Sequence, residues 1–305
     1  MTDLKRKIDI ATIVVNYKSE ARTIAFIKEE LSKCKLRQAI VIVNNGATED
    51  SSSIMAKALD ATIVRNNNEM VDDNQLIYVM HNPINSGFAK GNNMGVDFIV
   101  NHFVCDYLLI SNNDIQFVDD NVIEALIEKI KILPDVGVIG PKVIGLDGHC
   151  QSPNDYVPFW TEMVGQYWER FIPMYHIHKL DQDAAEEGYY YRVMGSFFIC
   201  AKDAFLDCGM MDSSTFLFAE EACLSERMSK IGRRAYYYPN VSVLHDHGLT
   251  INKHTKDLKV SNAMFRSLSY YYKTYKGVNP VSIFVASISN CTYLWLQHFA
   301  RKVKS

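Results

Sequence analysis

The chain has 305 residues, of which 48% are hydrophobic, 22% charged and 11% aromatic, with 15 Gly and 8 Pro. This excludes collagen-like, low-complexity and disordered classes and leaves room for one large domain or two ordinary ones. A net charge of −3 argues against a nucleic-acid partner for the chain as a whole, but the charge is uneven: Leu249–Ser305 holds nine Lys/Arg against Asp257 alone, a segment charge of +8 that leaves −11 on residues 1–248.

Ile8–Val15 is a β-branched run that predicts a strand ending at Asn16-Tyr17, and Ile24, Ile27 and Leu31 space a helix over Ser19–Cys34. Ala39–Val43 predicts a second buried strand that runs into Asn44-Asn45-Gly46. A helix over Ser51–Leu59, strands over Ala61–Arg65 and Leu76–Met80, and a helix over Gly91–His102 follow. The strand Tyr107–Ile110 ends at Ser111-Asn112-Asn113-Asp114, and Asn121–Leu133 predicts a helix closed by Pro134, with a short strand at Gly137–Gly140. Asp181–Tyr191 reads as a mobile surface loop. A later helix ends near Gly232, and the strand Val241–Leu244 ends at His245-Asp246-His247-Gly248. Ser261–Tyr275 and Pro280–Phe299 have helical spacing. Strands alternating with helices predict an α/β fold whose mostly parallel sheet is covered on both faces, with ligands at the carboxyl ends of the strands.

The seven cysteines form no C-x-x-C pair, which predicts reduced thiols in a cytoplasmic protein. No signal-peptide core precedes the first strand. The longest uncharged run, Gly277–Ala300, contains Ser282, Ser287, Ser289, Asn290, Thr292, Gln297 and His298, so a soluble or membrane-peripheral protein is expected.

Each polar strand end allows two readings. Asn44-Asn45-Gly46 suits the edge of a base or an ordinary capped turn. Asn85-x-Gly87-Phe88-x-x-Gly91-Asn92-Asn93-x-Gly95 offers free N–H groups to a phosphate-bearing ligand, or makes a tight turn. Asn112-Asn113-Asp114 suits a hard divalent cation that also takes diphosphate and water ligands, or an Asx turn. Glu220-Glu221 could supply a general base beside the apolar Phe216-Leu217-Phe218, or only a helix-dipole partner. His245 could join a metal or phosphate site, or an exposed turn.

Taken in order, Thr12–Tyr17, Val43–Gly46, Asn85–Asn93, Asn112–Asp114, Gly195-Ser196-Phe197, Glu220-Glu221 and His245-x-x-Gly248 resemble the family 2 glycosyltransferases of GT-A fold. The nearest group is the bacterial rhamnosyltransferase-like one that builds surface polysaccharides such as capsule. The resemblance spans about residues 8–250. It implies a GT-A domain over 1–250, with a nucleotide-sugar half over about 1–145 and an acceptor half over about 146–250, and a basic helical extension over 251–305. It further implies inverting sugar transfer from a nucleotide-diphosphate sugar, dTDP- or UDP-linked, with Mg²⁺ or Mn²⁺.

By position, the resemblance assigns Glu221 as catalytic base. Donor contacts fall to Asn16, Asn44, Asn45, Asn85, Gly87, Phe88, Asn92, Asn112 and Arg227, and metal contacts to Asp114, Asn112 and His245. Three departures stand out: Asn44 replaces an acid, Glu221 replaces Asp, and Cys223 replaces the next acid of the pattern. The acceptor side is expected at Trp160, Trp168 and Glu220, with Tyr167, Phe171 and Tyr189–Tyr191 as further stacking faces. The acceptor is a saccharide, which polyprenyl diphosphate could carry. Nine basic residues of the extension, from Lys253 to Lys304, interleave with Phe265, Tyr270–Tyr272, Tyr275, Trp295 and Phe299. They predict binding to an anionic membrane surface at the inner face of the cytoplasmic membrane, or helices packed on the body or on a second copy. A sugar nucleotidyltransferase and a non-catalytic binding module of the same fold are the competing readings. The first lacks its basic Gly-rich loop near the N-terminus.

Overall fold

The structure is a computed structural model that describes residues 5–69, 74–165, 168, 180–246 and 258–304, with the backbone alone at 258–260, 294 and 297–304. In chain order the elements begin with β1 (Arg6–Lys7), β2 (Ile10–Asn16), α1 (Glu20–Ala25), β3 (Gln38–Asn45), α2 (Glu49–Leu59), β4 (Thr62–Val64), β5 (Ile77–Asn82), α3 (Phe88–His102), β6 (Phe103–Val104) and β7 (Tyr107–Ser111). They continue with β8 (Ile115–Phe117), α4 (Val122–Lys131), β9 (Val136–Gly145), β10 (Gly188–Tyr190), β11 (Phe197–Ala201), α5 (Lys202–Asp207), α6 (Glu220–Lys230), β12 (Arg234–His245), α7 (Leu258–Lys276) and α8 (Pro280–Lys304).

Among the described residues, the main sheet runs β10-β12-β9-β11-β7-β2-β3-β5-β4, and β8 pairs β12. The half from β7 to β4 is parallel, as near-continuous β-branched runs covered on both faces require. β11 then lies antiparallel between β7 and β9. That reversal puts the amino end of β11 beside the carboxyl end of β7.

Helices cover both faces. On one, Val96, Phe98 and Ile99 of α3 join a core with Ile13, Val41 and Val43. On the other, Leu126 and Ile130 of α4 and Met55 and Leu59 of α2 join Ile10, Val14 and Ile42. A third cluster joins Leu268, Tyr271 and Tyr272 of α7 and Ala286 of α8 to Phe159, Met163, Ala219, Ala222 and Cys223. The C-terminal helices are thus packed directly behind the start of α6.

Three local expectations change. The helix over Ser19–Cys34 is regular only to Ala25 and then loosens into wider and tighter turns. The loop Asp181–Tyr191 contains β10, which pairs antiparallel with β12. Four expected membrane-facing aromatics point inward: Tyr270 and Tyr275 donate to Asp212, Tyr272 donates to Glu162, and Tyr271 bonds Tyr191. Tyr167, Phe171, His247, Gly248, Lys253 and Lys256 lie outside the described residues, as do the side chains of Lys259, Phe299, Arg301, Lys302 and Lys304.

Candidate active site

β2 and β3 end side by side, with Asn16 opposite Asn44. Asn16 Nδ2 donates to Asn44 Oδ1 at 2.8 Å, and Asn16 Oδ1 accepts from Ser19 Oγ and Thr23 Oγ1 at 2.9 and 2.8 Å. Asn44 Nδ2 donates to Ser51 Oγ and Ser52 Oγ at 2.9 and 3.0 Å. Expected at the nucleotide base, Asn44 is 1% exposed, and both its amide hydrogens and its carbonyl are committed to neighbouring side chains. It ties two strand ends together.

Asn45 knits the next loop. Its Nδ2 donates to Asn85 Oδ1 and Gly87 O, both at 3.1 Å, and its Oδ1 accepts from Asn82 Nδ2 and Ser86 N, both at 2.9 Å. Gly87 has φ +84°, and a Cβ there would sit 2.5 Å from Phe216 O. Phe88 N donates to that same carbonyl at 3.0 Å. Further along α3, a Cβ on Gly95 would lie 2.7 Å from Ile13 Cγ2, so this glycine brings helix and sheet together. Asn92 is fully buried and donates back to Phe88 O at 3.0 Å.

The segment that crosses the start of α3 leads into α6. Phe218 and Ala219 have φ +73° and +64°, left-handed geometry that costs roughly 1–3 kcal/mol per residue and aims the two carboxylates that follow. Glu220 is 3% exposed, and its Oε1 meets no hydrogen-bond partner among the described residues. Burial, reinforced by the charge of Glu221, pushes its carboxyl up to about 8. Glu221 instead lies against Gly195, where a Cβ would sit 2.6 Å from its Cδ, and its Oε2 is 4.0 Å from Arg192 Nη1. Asn112 N donates to Ser196 O at 2.8 Å. Gly195 and Ser196 therefore link Glu221 to the end of β7.

Beyond Asn112, the chain brings Asp114 to His245. Asp246 N donates to Asp114 O at 2.9 Å, and Arg22 of α1 pairs with Asp246. Asn113 turns aside to donate to Ser19 Oγ and Thr23 Oγ1. His245 Nδ1 lies 2.9 Å from Gln151 Oε1, an acceptor to which an Nδ1–H can donate, and Nε2 is the ring nitrogen turned toward Asp114. That Nε2 is 3.2 Å from Asp114 Oδ1. Two donors bound at about 2.1 Å to adjacent positions of an octahedral cation stand about 3 Å apart, so the pair fits a divalent ion. Among the described residues, no group of three or more His, Cys, Asp or Glu could hold a metal. The fit is therefore to a site completed by diphosphate and water, as is common for Mg²⁺.

Two expected contacts lie elsewhere. Arg227, expected at the diphosphate, donates to Gly209 O at 2.7 Å, Met210 O at 3.1 Å and Tyr275 OH at 2.8 Å, and pairs with Asp212. Burial works against the Asp212 carboxylate, yet hydrogen bonds from Tyr275, Ser214 and Tyr270 outweigh it and hold the group at about 2. Trp168 Nε1 donates to Ser289 Oγ of α8, while Trp160 remains exposed. Gln151 and Arg192 carry no local signal: they reach the site from segments far from His245 and Glu221 in sequence.

A sheet of this order, with a carboxylate–imidazole pair and a carboxylate-bearing helix at its central strand ends, is a GT-A fold. Residues 11–185 match Glycosyl transferase family 2, and the chain belongs to that family. The N-acetylglucosaminyl-diphospho-decaprenol L-rhamnosyltransferase of Mycobacterium tuberculosis is 25% identical over 150 residues, 47% of this chain and 48% of that protein. The chain thus spans about half the length of the curated relatives it matches. Among solved structures, a mannosyltransferase from Pyrobaculum calidifontis in complex with GDP-Man and Mn²⁺ aligns with a TM-score of 0.57 at 11% identity, over 95% of this chain and 74% of that one. GalNAc-T7 with UDP, GalNAc and Mn²⁺ aligns with 0.54 at 14% identity, over 88% and 49%.

Proposed function

We propose that the protein transfers a sugar from a dTDP- or UDP-linked donor to a saccharide carried on polyprenyl diphosphate, inverting the anomeric centre, in the synthesis of a cell-surface polysaccharide. The observation that carries this reading is the convergence of Glu221, through Gly195 and Ser196, on the strand end that holds Asn112 and Asp114. Glu221 takes the proton from an acceptor hydroxyl as its oxygen bonds to the anomeric carbon, and the bond to the diphosphate breaks on the opposite face. Asp114 and His245, with Asn112 beside them, would hold Mg²⁺ or Mn²⁺, which when bound supplies positive charge to the diphosphate. Asn45, Asn82 and Asn85 keep the loop ahead of α3 rigid under the donor. With Asn44 turned inward, the Tyr17 ring, 49% exposed at the end of β2, offers the base a stacking face.

The acceptor reading is supported by the curated relative, whose name gives a decaprenol-linked substrate. It is also supported by α8. Val281, Phe284, Val285, Ile288, Trp295 and Leu296 are all exposed, while Ala286 and Asn290 are buried. At 100° per residue the first six fall within one stripe opposite the packed face. Residues 258–305 carry seven Lys/Arg and no acid, which favours an anionic lipid surface and makes two copies of the segment repel. Among the described residues, no helix is long and apolar enough to cross a membrane. We therefore read α8 as lying on the cytoplasmic face of the membrane, beside the acceptor.

Release of free nucleotide from a panel of nucleotide sugars, with and without Mg²⁺ or Mn²⁺, tests the activity. Asp114→Ala should abolish metal-dependent release with an unchanged melting temperature. Glu221→Gln should keep donor binding and lower transfer by about 10²–10⁴-fold. Full activity of either variant would remove that residue from its assigned role.

A further inference from the structure

We propose that Arg192 is the positioning residue for Glu221, fixing the orientation in which its carboxylate receives the acceptor proton; this rests on the reading of Glu221 as the base. One short segment, Tyr191–Gly195, braces α6 at three points. Tyr191 OH donates to Glu226 Oε1 at 2.8 Å, Arg192 Nη1 faces Glu221 Oε2 at 4.0 Å, and Gly195 leaves the space in which the Glu221 carboxyl lies. The segment is itself fixed, because Asn154 N donates to Arg192 O at 2.9 Å and Arg192 N to Asn154 O at 3.1 Å.

The charge arrangement assigns Arg192 to this role. Among the described residues, Glu221 is the one acid within ion-pair distance of Arg192, and the two side chains are 24% and 25% exposed. Such half-buried charges are screened less than surface ones. Glu220, the other acid at the start of α6, is buried, and its protonated form is the favoured one there. Glu221 is the acid of the pair that faces a cation, Arg192. On its other side Arg192 lines a small cavity with Asp155, Glu162 and Tyr191, and its Nε makes no hydrogen bond in the described residues. The guanidinium is therefore not spent on holding the fold, unlike that of Arg227.

The test compares Arg192→Gln, Arg192→Lys and Arg192→Ala with the wild type in steady-state transfer assays. Arg192→Gln should lower kcat by about 10²-fold, the order expected when a reacting group is displaced by about 1 Å, while donor KM and the melting temperature stay unchanged. Arg192→Lys should recover most of the rate, and added guanidinium ion should restore part of it to Arg192→Ala. In a Glu221→Gln background, Arg192→Gln should cause no further loss. A wild-type kcat in Arg192→Gln beside an inactive Glu221→Gln overturns the role of Arg192 and leaves the base in place. A fully active Glu221→Gln overturns the base itself. A raised donor KM at unchanged kcat, or no rescue by either lysine or guanidinium, also overturns the positioning role.

Discussion

Glu220 and Glu221 are adjacent acids with opposite surroundings, and the difference has a measurable consequence. A carboxyl held near 8 in the folded protein titrates near 4.5 when unfolded. Its contribution to stability is complete below about pH 4.5 and is lost as pH rises through about 8, because the unfolded chain releases the proton first. Glu220→Gln should remove this loss. By urea denaturation the variant should exceed the wild type at pH 8 by on the order of 1–3 kcal/mol and approach it at pH 5. Equal pH dependence in the two proteins would show that Glu220 ionises freely in the fold. At this scale the sequence was legible wherever a polar cluster followed an apolar run, as at Asn112–Asp114. It could not reveal that Asn16 and Asn44 bond each other, or that Gln151 meets the ring of His245. Those are pairings across 28 and 94 residues, made by tertiary structure alone.

Among the elements, α3 depends most on the absence of side chains. Gly87→Ala would force a methyl group against Phe216 O from a left-handed backbone, disturbing both the loop ahead of α3 and the segment that leads to Glu221. A loss of about 2–4 kcal/mol is expected, together with a fall in transfer greater than the lost stability explains. Gly95→Ala meets Ile13 deep in the core and should cost about 1–3 kcal/mol while sparing kcat of the folded fraction. Equal effects of the two variants on kcat would separate Gly87 from the site. The first half of the sheet could be read from sequence because its strands are unbroken β-branched runs with polar ends. β9 and β12 extend beyond their apolar runs: Pro141 and Lys142 break the apolar pattern of β9, and a register shift between Tyr238 and Ser242 divides β12. The antiparallel insertion of β11, which brings Gly195 to the end of β7, has no periodic signature at all.

For the molecule as a whole, α8 sets the strongest expectation. Sedimentation with anionic vesicles, weakening as salt rises, should be seen for the wild type and not with neutral vesicles. Phe284→Glu, Ile288→Glu and Trp295→Glu together should abolish it while leaving nucleotide release to a water-soluble acceptor unchanged, since these side chains are exposed, on the side of α8 opposite its buried Ala286 and Asn290. Unaltered vesicle binding by the triple variant would show that the stripe is not the contact.

The seat of α6 on α7 has a temporal consequence. Ser267 bonds Leu217 O, while Tyr270 and Tyr275 grip Asp212, so the turn leading into α6 is held from behind by residues that follow it by some fifty positions. A chain emerging from the ribosome acquires the strands around Asn16 and Asp114 first, because domains assemble from the N-terminal side. The support behind Glu221 arrives only once α7 has been made. A fragment ending before residue 258 would carry Asp114, Glu220 and Glu221 yet lack the support behind the last two, so nascent chains and proteolytic remnants alike would leave the start of α6 unbraced.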